Sequence, residues 1–122
     1  MTRNRKSAKA AGARFERDIA DYLAAHDDDR IDRRVKTGAK DRGDIGGVRT
    51  PWGDRVVIEC KNTTRMALGS WLREAEAEQI NDAAHIAVVA HKRHGVGAAG
   101  DQLVTMTLEN FAKLLDGTAG AP

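Results

Sequence analysis

Val56-Val57-Ile58-Glu59-Cys60-Lys61 is the stretch on which the reading of this chain turns. Three β-branched residues ahead of Glu-Cys-Lys make it the clearest strand in the sequence. A strand sends successive side chains to opposite faces, so Glu59 and Lys61 share one face and Cys60 takes the other. A glutamate and a lysine on one face also suit a structural ion pair. The tripeptide alone is too common to decide between that pair and a site.

Upstream, Thr50-Pro51-Trp52-Gly53 has the composition of a turn, and Asp44-Ile45-Gly46-Gly47-Val48 before it reads as a short strand. Together they predict an antiparallel hairpin. Opposed residues in a hairpin have a constant index sum, and setting Asp44 against Glu59 centres the turn between Pro51 and Trp52. Opposed Cβ atoms lie about 4.5–5.5 Å apart, and two carboxylates that close repel unless a cation lies between them. Mg²⁺ suits such a pair, because it takes oxygen ligands, keeps several waters and needs only one or two carboxylates plus a substrate phosphate. Lys61 adds a positive charge beside it, placed to orient a water nucleophile or to neutralise charge developing on a phosphate. A one-residue slip of register would turn Asp44 to the other face.

Farther out, Phe15, Ile19, Tyr22 and Leu23 recur at spacings of three and four and predict a helix over 8–26. Residues 31–35 form a weak edge strand, and the glycines and small polar residues of 37–43 form a loop. Gly69-Ser70 offers an N-cap for a helix over 71–83. A buried strand over 86–90, a turn over 91–100 and a strand over 102–106 follow. Thr107 caps a last helix over 108–115 that presents Leu108, Phe111, Leu114 and Leu115 on one face. This order predicts one α/β (α+β) domain with a mixed central β-sheet flanked by helices, spanning 8–116 between a basic flexible arm (1–7) and a flexible tail (117–122).

The 122 residues suffice for one domain, and 41% hydrophobic and 31% charged content suit a cytoplasmic protein. No apolar run approaches the roughly 20 residues needed to cross a bilayer. The lone Cys60 cannot form an internal disulfide and reads as a packing residue. Net charge is only +2, but basic residues concentrate in two segments. Arg3, Arg5, Lys6, Lys9 and Arg14 precede the first acid, and a second run extends from Arg30 through Arg33, Arg34, Lys36 and Lys40 to Arg42. Such segments bind polyanions, although Asp32 and Asp41 interrupt the second. His85, His91 and His94 lack zinc-site spacing. Trp52 at a turn tip suits base stacking, a core edge or a dimer contact.

Gly43-Asp44 and Glu59-Cys60-Lys61, separated by 14 residues, resemble the PD-(D/E)xK nuclease motif. Gly12-x-x-Phe15-Glu16 on the first helix, the Thr37-Gly38 loop and Gln79 on the helix after the lysine extend the likeness, over about residues 8–91, to archaeal-type Holliday-junction resolvases and their phage relatives. Gly43 stands where the motif has proline. The resemblance implies a restriction-endonuclease-like fold, with Asp44 and Glu59 as metal ligands, Lys61 as the catalytic lysine and Glu16 as a further acid reaching the metal. Gln79 would be a supporting residue. It also implies a Mg²⁺-dependent endonuclease, with Mn²⁺ able to substitute, that cuts four-way DNA junctions in recombination and repair as a homodimer. Arg3, Arg5, Lys6, Lys9, Lys36, Thr37, Lys40 and Arg42 would contact DNA, and Met66, Leu68, Trp71 and Leu72 are candidate dimer surface. A phage or restriction-type endonuclease acting on duplex or flap DNA, and a non-catalytic DNA-binding module of the same fold, are the competing readings.

Overall fold

The computed structural model describes residues 4–35 and 41–117. The elements run α1 (Arg5–His26), β1 (Asp32–Arg33), β2 (Ile45–Gly46), β3 (Val56–Lys61), α2 (Leu68–Asn81), β4 (Ile86–His91), a 3-10 turn (Ala99–Asp101), β5 (Leu103–Thr105) and α3 (Leu108–Asp116). The five strands form one sheet in sequential order, with β3 parallel to β4 and every other neighbour antiparallel. A parallel pair cannot be joined by a tight turn, and α2 supplies the crossover. The chain is therefore a single small α+β domain with a mixed sheet flanked by three helices.

Alternation along β3 divides the core in two. Ile58 and Cys60 pack with Phe15, Ile19 and Ala20 of α1 and with Ile86, Val88 and Ala90, while Leu114 of α3 joins from the side. Val57, on the other face, packs with Ala87, Val89, Trp71 and Ala75 beneath α2. Glu59 and Lys61 follow Val57 on the α2 face, as period two requires.

The hairpin register rests on two offsetting irregularities. Gly53 donates to the Thr50 carbonyl and Thr50 donates to the Asp54 carbonyl, each at 2.9 Å, and Gly53 has φ +91°, so the turn carries one extra residue on the β3 side. Gly47, at φ +83°, restores the count on the β2 side between the Arg49–Arg55 bridge and the Ile45–Ile58 pair. A Cβ at Gly47 would stand 2.6 Å from the Arg30 carbonyl oxygen, so only glycine serves there. The pairing of Ile45 with Ile58 is the one that placing Asp44 against Glu59 requires.

Several elements depart from the sequence reading. Helix α1 begins at Arg5 and not at residue 8, because the Asn4 side chain accepts from the Ser7 N–H at 2.8 Å and caps it. Arg5 and Lys6, assigned to a flexible arm, are thus helical. Helix α2 starts at Leu68, ahead of the Gly69-Ser70 cap, since Leu68, Trp71 and Leu72 anchor its first turn on the sheet. That packing uses three of the four residues expected at a dimer surface and leaves Met66 exposed. On α3 only Leu114 reaches the core; Leu108, Phe111 and Leu115 are exposed, and Asn110 is buried instead. Thr107 does cap that helix, accepting from the Asn110 N–H. Trp52 lies over Gly117, where an added Cβ would meet its ring at 2.8 Å, so the tryptophan covers the end of α3.

Candidate functional site

Beyond Val57 the α2 face of β3 turns from apolar to charged. Glu59 is buried and Lys61 half-buried, with the lysine Nζ 3.3 Å from Glu59 Oε2. The same Nζ donates at 2.8 Å to Glu74 on α2. Burial opposes the lysine's charge, but the Glu74 and Glu59 carboxylates outweigh it and hold Lys61 protonated above its ordinary range.

Helix α2 brings the residue that sequence reasoning missed. Trp71, Ala75 and Glu78 form its buried stripe, so Glu78 enters the protein at a position where helical spacing calls for an apolar side chain. It meets Glu59 there, and Asp41 joins them from the loop before β2: one carboxylate oxygen from each lies within 4.8 Å of the others. Asp41 is held by the turn that follows it, its side chain accepting from the Gly43 N–H at 2.9 Å, and by Asn81 of α2, whose amide donates to the Asp41 carbonyl at 2.8 Å. Gly43 has φ +96° and lies against the Ile58 carbonyl, which a Cβ would approach to 3.0 Å.

Asp44 stands beside this group, fully buried, with Oδ2 accepting from the Cys60 N–H at 2.8 Å. Its charge reaches Glu59 and Glu78. Desolvation first, then the Asp44 charge and contact with Glu78, push the Glu59 carboxyl up to about 10. Desolvation also raises Glu78, to about 7; contact with Glu59 works against this rise, while the charges of Asp41, Asp44 and Glu74 add to it. Oε1 of Glu59 and Oε1 of Glu78 are both buried without a hydrogen-bond donor among the described residues. Carboxylates crowded in this way need a shared proton or a cation, and a site built only of oxygens suits a hard divalent ion such as Mg²⁺, Mn²⁺ or Ca²⁺.

The other expected site residues lie elsewhere. Glu16, on the α1 side, is bound by the Arg33 guanidinium at 3.0 and 3.2 Å and is not part of the three-carboxylate group. Gln79 points away from Glu78, its amide donating to the His85 carbonyl at 3.0 Å, and so ties α2 to the start of β4. Arg5, Lys6 and Lys9 are exposed along the start of α1, and Arg42 is exposed next to Asp41. Arg3, Lys36, Thr37 and Lys40 lie outside the described residues. His91 Nε2 meets the Thr105 hydroxyl and His94 Nε2 meets the Thr63 carbonyl, and among the described residues no histidine joins the carboxylate group. Lys61 also lines a cavity of about 200 Å³ with Arg65, His91, Lys92 and His94.

Glu78 left one sign in the sequence, an acid on the apolar stripe of a helix; Asp41 left none beyond an Asp-x-Gly turn. No protein-family model matches the chain, and no curated protein or solved structure does either. No helix among the described residues is long and apolar enough to cross a membrane.

Proposed function

We propose that the chain is a metal-dependent endonuclease that hydrolyses phosphodiester bonds in DNA and acts on branched structures, four-way junctions foremost. The observation that carries this reading is the convergence of Asp41, Glu59 and Glu78 on one buried point, with protonated Lys61 beside Glu59. A structural ion pair alone would not explain three carboxylates within 4.8 Å of one another and two buried oxygens lacking donors.

Asp41, Glu59 and Glu78 would hold the ion, with Asp44 supplying negative charge behind them. A bound divalent cation supplies Lewis-acid polarisation of a phosphoryl oxygen and lowers the pKa of water. The chain's own contribution is placement. The Asp44 carboxylate grips the Cys60 N–H and locks the end of β3, which sets the direction of Glu59 and Lys61. Glu74 keeps Lys61 charged and holds its Nζ at 2.8 Å, and Lys61 lines a cavity with Arg65, Lys92 and His94, where an anionic substrate would meet it. Lys61 then neutralises charge that builds up on the scissile phosphate. A four-way junction has two equivalent strands to cut, whereas the carboxylate group of one chain serves a single cut, so the proposal includes a two-fold homodimer.

Purified protein incubated with labelled four-way junction, flap and linear duplex, in Mg²⁺ or in EDTA, tests the reading. Mg²⁺-dependent paired incision of the junction is the expected result. Cutting of flap or duplex alone would point to a phage or restriction-type endonuclease, and binding without cutting to a DNA-binding module.

A further inference from the structure

We infer that the arginine-lined cavity at the C-terminal end of α2 is a phosphate site, occupied by a backbone phosphate of the DNA strand whose neighbouring phosphodiester meets the carboxylate group. The phosphate assignment stands on the cavity alone; its place on a DNA strand rests on the nuclease reading.

Arg34, Arg42, Arg49 and Arg55 surround a cavity of about 210 Å³ together with Asp82, a formal excess of three positive charges. Asp82 is buried and binds the first of them, Arg34 Nη1 lying 3.1 Å from Oδ1. Arg55 Nη1 stands 3.6 Å from the same oxygen and donates to the Asp82 carbonyl at 3.0 Å. Arg49 is held through the Gly53 carbonyl at 2.9 Å. A Cβ at Gly46 would stand 3.1 Å from both Nε and Nη2 of Arg34, so the absence of a side chain on β2 makes room for this guanidinium. One carboxylate cannot neutralise four guanidinium groups. It orients two of them, and each has five N–H donors, of which these contacts use only a few.

The donors that remain match a phosphate, since the planar guanidinium fork pairs two N–H groups with two phosphate oxygens. Position connects the cavity to the carboxylate group. Arg42 follows Asp41 in the chain, and Asp82 follows Glu78 by four residues, a rise of about 6 Å along a helix axis. The two sites are therefore neighbours of opposite sign, one taking the cation and the other a phosphate of the same polyanion.

Arginine Nε–Hε NMR signals, followed in EDTA while inorganic phosphate or a short single-stranded oligonucleotide is added, test this directly. The expected result is saturable shifts of Arg34 and Arg55 with both probes. Arg49→Gln and Arg55→Gln, at exposed positions, should each weaken oligonucleotide binding about tenfold, the loss of one charged hydrogen bond. Each should also lower the salt slope by about 0.7, the value for one single-strand phosphate no longer neutralised. Shifts with inorganic phosphate and none with oligonucleotide would overturn the strand assignment, and no shift with either would overturn the site. Parallel cleavage assays separate the two proposals: shifts without any Mg²⁺-dependent cutting would leave the site standing and remove the nuclease reading. Cutting with silent arginines would do the reverse.

Discussion

Glu78 and Asp82 lie one helical turn apart at the end of α2, and both are buried to about one-twentieth exposure, at 4% and 5%. Their surroundings are opposite. Asp82 faces two arginines, at 3.1 and 3.6 Å. Glu78 faces Glu59 and Asp41, and its Oε1 has no donor among the described residues. A buried carboxylate needs a compensating positive charge or a proton. The fold supplies the charge at Asp82 and withholds it at Glu78, which is left to a proton or a cation for its compensation.

Removing chemistry from the carboxylate-rich region around Glu78 should have the largest effect. Glu59→Gln or Asp44→Asn is expected to lower Mg²⁺-dependent cleavage beyond the roughly 100-fold that loss of an outer-shell partner costs a metal site, while DNA binding in a mobility-shift assay persists or improves. Either variant cutting at the wild-type rate would remove the assignment. Lys61→Ala should lose cleavage just as severely and still bind Mg²⁺ by calorimetry. Loss of Mg²⁺ binding with it would make the lysine structural.

The contrast itself is broken by exchanging stability for charge at the two positions. Asp82→Asn removes the negative charge that faces two guanidinium groups, while the Asp82 carbonyl that accepts from Arg55 stays in place, and should destabilise the protein by about 1–3 kcal/mol, the lower part of the range being expected because Arg55 is half exposed and rehydrates. Glu78→Gln relieves carboxylate repulsion and should stabilise the metal-free protein at pH 8, by on the order of 1 kcal/mol. Urea denaturation in EDTA measures both, and destabilisation by Glu78→Gln would show that the region is already compensated.

Acidity sharpens the same point. Glu59 and Glu78 keep protons in the native state that an unfolded chain has released above a pKa of about 4.3. Across that window the native state binds more protons, and its stability falls as pH rises. The contribution is fully present below the unfolded values and is lost through about 7 for Glu78 and about 10 for Glu59. Denaturation midpoints in EDTA should therefore decline from pH 5 to pH 9, and saturating Mg²⁺ should flatten the decline. A flat profile in EDTA would contradict the raised acidities. The smallest effect is expected outside both groups of charges, on replacing exposed Arg5 and Lys9 by alanine. The slope of log affinity against log salt should fall by about 0.9 for each duplex phosphate that these side chains neutralise, with cleavage at saturating DNA unchanged.

Local patterns in the sequence determined the order and type of the main elements and one half of the candidate site. β-Branched residues over Val56–Lys61 set the central strand, and the pleat alone put Glu59 and Lys61 on one face and Cys60 in the core. Thr107 announced the start of α3, and the turn at Thr50 announced the hairpin. These features depend on neighbours within a few residues, which a sequence displays directly. Tertiary structure decided what depends on distant segments meeting. Gly53 and Gly47 shift the hairpin register in opposite senses, so the pairing at Ile45 and Ile58 is the product of two bulges and a contact with Arg30. Asp41 and Glu78 join Glu59 only because α2 crosses over β3 to reach β4, and Glu16, on the opposite layer, is bound by Arg33 instead. Arg34, Arg49 and Arg55 are scattered in sequence and meet only around the buried Asp82. Spacing along one element is local geometry, whereas the grouping of charges across elements is set by how the layers pack.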